Sequence, residues 1–109
     1  MDDTSYLWGM KDATLSDKTA AKEYGISREE IIDAINEGEL QYRVSSVHGN
    51  PWFRLLRIEV ERFIEKKYGV EVLEEKLARK ELSEINRELK VLYARVKELE
   101  DRKKELLDQ

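Results

Sequence analysis

The side chains of this chain that could recognise a ligand are basic and polar residues spread between positions 18 and 57. Arginine, lysine and histidine bind phosphate oxygens and base edges, and the free amides at the start of a helix can hold an anion. This chemistry therefore favours a ligand that carries phosphate groups. The candidate contact residues are Lys18, Lys22, Ser27, Arg28, Glu29, Arg43, His48, Asn50, Arg54 and Arg57.

No set of residues with catalytic spacing accompanies these candidates. His48 is the only histidine and there is no cysteine, so a histidine-based triad or metal cluster would have to start at His48. Its place beside Gly49 and Asn50 is typical of a solvated turn residue. The sequence also lacks a glycine-rich phosphate loop, an HExxH motif and a calcium-loop motif. We therefore expect no enzymatic activity, no cofactor and no metal site.

Length and composition limit the chain to one small domain with an extension. It has 109 residues, of which 40% are charged and 40% are hydrophobic, and its net charge is −4. So high a charged fraction in so short a chain predicts elongated helical surface. The negative net charge argues against attraction to nucleic acid or anionic lipid by the overall field, although it is compatible with a local basic face.

Two short helices are predicted first. Ser16 is a typical N-cap for the first helix, and Gly25 follows its end. Ser27 caps the second helix, and Glu30 lies three residues later, where it completes a capping box. These signals predict the second helix over 27–37.

A β-hairpin and a third helix are predicted next. Apolar and polar residues alternate from Leu40, and His48-Gly49-Asn50-Pro51 supplies a turn, which together predict a hairpin over 40–56. Helical spacing then returns from Arg57 to Tyr68. Helix–turn–helix–hairpin–helix is the layout of a winged helix-turn-helix unit, which usually binds DNA.

After this unit the sequence becomes a charged heptad repeat. Apolar residues recur in alternating steps of three and four, with Lys103 as the polar member of the series. A helix over 70–109 with this pattern would bury its apolar stripe against a partner, most simply its own copy. The pattern leaves open whether the strands run parallel or antiparallel and whether there are two or more, although Lys103 favours two. The predicted dimerisation residues are Leu82, Ile85, Leu89, Leu92, Val96, Leu99 and Leu106.

The predicted fold class is mainly α with a small β-hairpin. We expect an N-terminal arm over 1–14, a winged helix-turn-helix domain over 15–69 and a long C-terminal coiled-coil helix over 70–109. The apolar cluster around Trp8 predicts that the arm packs on the domain or on a partner subunit, the alternative being an exposed adhesive segment. Leu73 and Leu77 lie outside the heptad register, so the first two turns of the long helix are expected to dock on the globular unit.

The segment Leu15 to Ile64 resembles the winged helix-turn-helix of the excisionase and MerR-like families. The resemblance covers nearly half the chain and lies in Ala20-Ala21, Gly25-Ile26-Ser27-Arg28 and Glu37-Gly38-Glu39-Leu40 at the family spacing. It implies binding to double-stranded DNA, with the second helix in the major groove and the hairpin as a wing. A coiled-coil helix after this unit is similar to the MerR arrangement, in which that helix dimerises the protein. The sequence given stops with this helix, so no small-molecule effector domain is expected.

An acidic second helix weakens the expectation of DNA binding. In helix 28–37, Arg28 is accompanied by Glu29, Glu30, Asp33 and Glu37. A phosphate beside Asp33 would be repelled, whereas Glu29 could accept a hydrogen bond from a cytosine amino group. We therefore weigh two hypotheses. The favoured one is a dimeric DNA-binding transcriptional regulator or excisionase-like factor, and the alternative is a coiled-coil adaptor whose winged unit docks proteins instead of DNA.

The sequence contains no signal for export or membrane insertion. The start, Met1-Asp2-Asp3-Thr4, lacks the basic region and apolar run of a secretory signal, and no segment approaches the ~20 apolar residues of a membrane span. The absence of cysteine suits a reducing compartment. We expect a cytoplasmic protein without a membrane partner, associated with the nucleoid if it binds DNA.

Overall fold

The computed structural model describes residues 4–109, so the first three residues of the predicted arm lie outside the described residues. The chain forms two units, the first ending at Leu77 and the second comprising Ala78–Gln109. It is mainly helical with one small antiparallel sheet, which confirms the predicted fold class at that level. After a 3-10 helix over Ser5–Gly9, the elements are β1 (Thr14–Ser16), α1 (Asp17–Tyr24), α2 (Arg28–Asn36), β2 (Arg43–Val47), β3 (Asn50–Leu56), α3 (Arg57–Tyr68) and α4 (Val70–Leu107).

Helices α1 and α2 begin at the residues that the capping signals predict. Ser16 Oγ accepts a hydrogen bond from the Thr19 amide at 3.0 Å, and Ser27 Oγ accepts one from the Glu30 amide at 3.0 Å. These bonds satisfy amides that the first turn of a helix leaves without a backbone partner. Gly25 ends α1 with a φ of 63°, a left-handed conformation that glycine adopts without steric cost. The two predicted helices are therefore present and follow each other through a short turn.

The sheet has one strand more than the predicted hairpin. Its order is β1-β3-β2, so β3 is central, and β1 pairs with it antiparallel with Leu15 opposite Leu55. The N-terminal arm thus contributes Thr14 to the sheet. Three residues are too few to show an alternating pattern, and their partners lie about forty positions later in the chain. For these reasons the sequence carried no signal for β1.

The hairpin has a two-residue turn. His48 and Gly49 connect β2 to β3 with φ values of 52° and 82°, the pair of positive angles of a type I′ turn. The return strand therefore starts at Asn50. The first strand starts at Arg43, so its predicted start at Leu40 was wrong by three residues. Leu40 is buried in the loop after α2, so its apolar side chain serves packing and not strand pairing.

Alternate residues of β3 point to opposite faces of the sheet, and the core cluster packs on the face that carries Phe53 and Leu55. Phe53 packs against this core, and Leu55 is fully buried in it. Trp8 of the 3-10 helix is also buried, and the guanidinium carbon of Arg43 lies 4.5 Å from the centre of its ring. The core cluster comprises Leu15, Ala20, Tyr24, Ile26, Ile31, Ala34, Leu40, Leu55, Val60, Phe63, Ile64 and Leu73.

A single residue, Gly69, separates α3 from α4. It has φ 98° and ψ 162°, and its amide bonds the Glu65 carbonyl. The first two turns of α4 belong to the first unit, where Leu73 is buried in the core and Leu77 packs against it. This confirms that these turns dock on the globular unit. In the second unit, every predicted dimerisation residue is exposed.

Candidate nucleic-acid interface

Arg28 lies in the first turn of α2, where a carboxylate of α1 holds it. Arg28 Nε donates a hydrogen bond to Asp17 Oδ2 at 2.6 Å, and Asp17 Oδ1 accepts one from the Phe53 amide at 3.3 Å. The Asp17 side chain is 2% exposed, whereas that of Arg28 is 63% exposed. The charge-assisted bond therefore restrains the guanidinium at the surface. An arginine restrained in this way loses less conformational entropy when it binds an anion.

Most of the other candidate contact residues are exposed. Lys18 and Lys22 lie four residues apart on α1 and so share one face of that helix. His48 and Asn50 lie at the tip of the hairpin. The candidates with exposed side chains are Lys18, Lys22, Ser27, Arg28, Glu29, Arg43, His48 and Asn50.

Arg54 and Arg57 are half-buried and bind the N-terminal segment. Arg54 Nη2 donates to the Trp8 carbonyl at 2.6 Å, and its Nε donates to Thr14 Oγ1 at 3.2 Å. Arg57 Nε donates to the Asp12 carbonyl at 3.1 Å. These bonds occupy donors that a phosphate would need. The contribution of both arginines to DNA binding stays a prediction, and a substitution at either would also disturb the fold.

Arg57 also takes part in a polar network between α1 and α3. Its Nη1 donates to Glu23 Oε2 at 2.7 Å and to the Tyr24 hydroxyl at 3.1 Å, and that hydroxyl donates to Glu61 Oε2 at 2.6 Å. Burial raises the pKa of Tyr24, and the hydrogen bond to Glu61 raises it further. Burial opposes the charge of Arg57, but its bonds to Glu23 and Tyr24 outweigh this effect and raise the pKa of its guanidinium. Tyr24 and Arg57 therefore keep their protons at neutral pH, and the network stabilises the packing of α1 on α3.

An acidic groove that was not predicted from the sequence lies between α2 and α3. The groove has a volume of about 620 Å³. Glu29 and Asp33 line it from α2, and Glu37 lines it from the C-cap position of the same helix, so that their spacing of four places all three on one side. Lys66 and Lys67 line it from α3. The spacing of the acidic residues was visible in the sequence, but the position of α3 against them was not.

Glu30 connects α2 to the end of α3 beside this groove. Its carboxylate is 2.7 Å from Lys67 Nζ and accepts a hydrogen bond from the Tyr68 hydroxyl. Burial raises the pKa of this carboxyl, but the hydrogen bonds from Lys67 and Tyr68 outweigh burial and lower the pKa below its ordinary value. The Ser27 amide lowers it further, as expected for the reciprocal contact of a capping box. Glu30 therefore stays ionised at neutral pH.

The described part of the chain lacks two other features, a cluster of metal ligands and a membrane-spanning helix. Residues 4–109 contain no group of three or more histidine, aspartate or glutamate side chains that could hold a metal ion. Over the same range, every helix is too short or too polar to cross a membrane.

Three comparisons with known proteins identified no relative of this chain. No protein-family model, curated protein or solved structure matches the chain.

Proposed function

We propose that the protein is a homodimer that binds double-stranded DNA, with the first unit acting as a winged helix-turn-helix and α4 dimerising it. The observation that carries the proposal is Arg28, an exposed arginine that the buried Asp17 restrains in the first turn of α2. The first turn of the second helix is where helix-turn-helix proteins contact base edges. An arginine there can bind a guanine edge or a phosphate.

Other exposed residues support a DNA surface around Arg28. In this proposal, Lys18 and Lys22 of α1 contact the phosphate backbone, and the hairpin tip with His48 and Asn50 acts as the wing. Phosphate contacts of this kind position a protein on the duplex without reading sequence. A transcriptional regulator or an excisionase-like factor would use such an arrangement, and a twofold dimer would read an inverted repeat.

The proposal is tested by selection from a randomised DNA duplex pool at physiological salt, followed by sequencing of the retained duplexes. We expect enrichment of an inverted repeat. On that duplex, Lys18→Ala with Lys22→Ala should weaken binding severalfold and flatten the plot of log affinity against log salt by about two units, because each lost phosphate contact removes about one.

Lys90→Ala with Lys97→Ala is the matched control, since it removes the same charge from exposed positions of the second unit. The control should leave affinity and salt dependence near those of the native protein. Failure to enrich any sequence, with no retention of duplex even at low salt, would refute the DNA-binding proposal.

The acidic groove favours a second candidate function, that of a protein-docking adaptor. Carboxylates of α2 dominate one wall of the groove, and their charge would attract a basic segment of a partner protein. In this case Glu29→Lys with Asp33→Lys would abolish capture of the partner, while Arg28→Ala would leave capture intact. The DNA selection separates the two functions, because an adaptor would enrich no duplex.

A further inference from the structure

The second unit presents an apolar stripe that lacks a covering element among the described residues. The seven predicted dimerisation residues are between 38% and 57% exposed, the lowest value at Leu89 and the highest at Leu82. An isolated helix is only marginally stable in water. A helix with an apolar stripe of this length is therefore stabilised by a partner that covers the stripe. Two further residues follow the same spacing and complete the stripe, Ala78 at its start and Lys103 between Leu99 and Leu106.

Charged residues on the two flanks of the stripe are segregated by sign along the helix. On one flank, Glu81 and Glu88 precede Arg95 and Arg102. On the other flank the order is reversed, with Arg79 near the start and Glu100 near the end, and Asn86 and Tyr93 between them. A helix whose flanks change sign in this way is complementary to a copy of itself that runs in the opposite direction.

A parallel, in-register dimer would use these charges poorly. In that arrangement each residue of the first flank faces the second-flank residue five positions later on the partner. Glu81 and Glu88 would then face Asn86 and Tyr93, and only Arg95 would meet an opposite charge, at Glu100. The two copies of Lys103 would also face each other in the core, where like charges repel.

In an antiparallel dimer with Leu89 opposite the partner's Leu92, each of these charged flank residues faces a residue of opposite charge. The flank pairs become Glu81 with the partner's Arg102, Glu88 with the partner's Arg95, and Arg79 with the partner's Glu100. The twofold axis makes each pair twice, which gives six attractive pairs against two in the parallel dimer. The core layers of this register are Leu82 with the partner's Leu99, Leu89 with the partner's Leu92, Ile85 with the partner's Val96, and Ala78 with the partner's Lys103.

The two remaining features of the helix are compatible with this register. Lys103 faces the small Ala78 of the partner, so its stem can cross the seam and its ammonium can reach water. Arg95 and Arg102 bond Glu98 and Glu105 of their own helix at 3.1 and 3.0 Å. These pairs are surface-exposed and weakly held, and they leave both arginines accessible to a partner.

We propose that the partner of this stripe is a second copy of the chain, packed antiparallel in this register. The inference rests on the dimerisation stated in the proposed function and adds the direction of the strands. It makes the two ends of the paired coil equivalent, since at each end the start of one helix lies beside the end of the other.

Cysteine cross-linking tests the direction of the strands, because the native chain has no cysteine. A tagged Leu82→Cys chain and an untagged Leu99→Cys chain are oxidised separately and as a mixture. In the antiparallel register the two Leu82 positions are about 25 Å apart along the helix axis, too far for a disulfide. We therefore expect no cross-link in either chain alone and a tagged–untagged cross-link in the mixture.

The remaining outcomes overturn the inference in separable ways. Cross-links in each chain alone would establish a parallel dimer, and a dimer that forms neither kind of cross-link would overturn the register. In either case enrichment of an inverted repeat would leave the proposed function standing. A monomer in sedimentation experiments on the native chain would overturn the dimerisation itself.

Charge reversal gives a second test that leaves the apolar stripe intact. Glu81→Arg with Glu88→Arg should weaken the antiparallel dimer at least tenfold, because four attractive pairs become repulsive. Adding Arg95→Glu and Arg102→Glu should restore it. A parallel dimer would respond weakly to the first pair of changes and would be destabilised by the second, since residue 95 would then repel Glu100.

Discussion

At the scale of single residues, Asp17 determines how the proposed contact surface is held. It is the first residue of α1, yet its two carboxylate oxygens bond the Arg28 side chain in α2 and the Phe53 amide in β3. One buried carboxylate thus connects three elements. Arg28 and a backbone amide compensate its negative charge, and these hydrogen bonds offset the free-energy cost of burying the carboxylate.

Asp17→Ala should lower the free energy of unfolding by about 2–3 kcal/mol, because it removes a charge-assisted hydrogen bond and leaves the Phe53 amide without its side-chain acceptor. Urea denaturation followed by circular dichroism measures this. Asp33→Ala, which removes an exposed carboxylate from α2, is the control and should change stability by less than about 0.5 kcal/mol. Equal effects of the two substitutions would show that the Asp17 contacts contribute little.

Whether a residue's role was predictable depends on how far away its partner lies in the sequence. The cap residues Ser16 and Ser27 bond amides three positions later, so their roles were predicted from local sequence. Arg54 was placed on the contact surface, but its carbonyl acceptor is 46 positions away at Trp8. A basic side chain looks the same in sequence whether it binds a phosphate or a distant carbonyl.

At the scale of elements, Gly69 sets the connection between α3 and α4. Its φ of 98° and ψ of 162° fall in a region that only glycine adopts readily. Open space surrounds the position where a side chain would start. The cost of replacing Gly69 is therefore a backbone cost and not a steric clash with neighbouring side chains.

We expect Gly69→Ala to destabilise the protein by about 1–3 kcal/mol, measured as a change in unfolding midpoint. Gly9→Ala is the matched control, because Gly9 also has open space around it but does not have a positive φ. The control should shift the midpoint little. If both variants unfold at the same denaturant concentration, the break between the helices does not need a glycine.

Elements with local signals were predicted well, and those that depend on distant pairing were not. The glycines at the helix ends and the His48-Gly49 turn located α1, α2, α3 and the hairpin. Strand β1 was missed because Thr14–Ser16 pairs with residues 54–56, far along the chain. The groove between α2 and α3 was missed for a similar reason, since only one of its walls is a local feature.

At the scale of the whole molecule, the apolar stripe of the second unit makes assembly a testable property. Leu89→Asp with Val96→Asp places two carboxylates in the apolar stripe. We expect monomers in sedimentation experiments, because dimerisation would bury these carboxylates without partners, which is strongly unfavourable. Val91→Asp with Ala94→Asp introduces the same charges at exposed positions outside the stripe and should leave the dimer intact. A Leu89 and Val96 variant that still dimerises would refute the seam assignment.

The pairing of β1 with β3 has a consequence for the order in which the protein is made. Synthesis proceeds from the N-terminus, so Trp8 and Leu15 leave the ribosome well before β3, the strand that pairs with β1. At 5–20 residues per second, the gap of about forty residues between the two strands corresponds to roughly 2–8 s. During that interval these side chains are exposed on an unfolded chain, whereas the hairpin can form within microseconds once both of its strands have emerged. We therefore expect the first strand in the sequence to be the last to join the sheet, with its apolar side chains uncovered on the nascent chain until β3 has emerged.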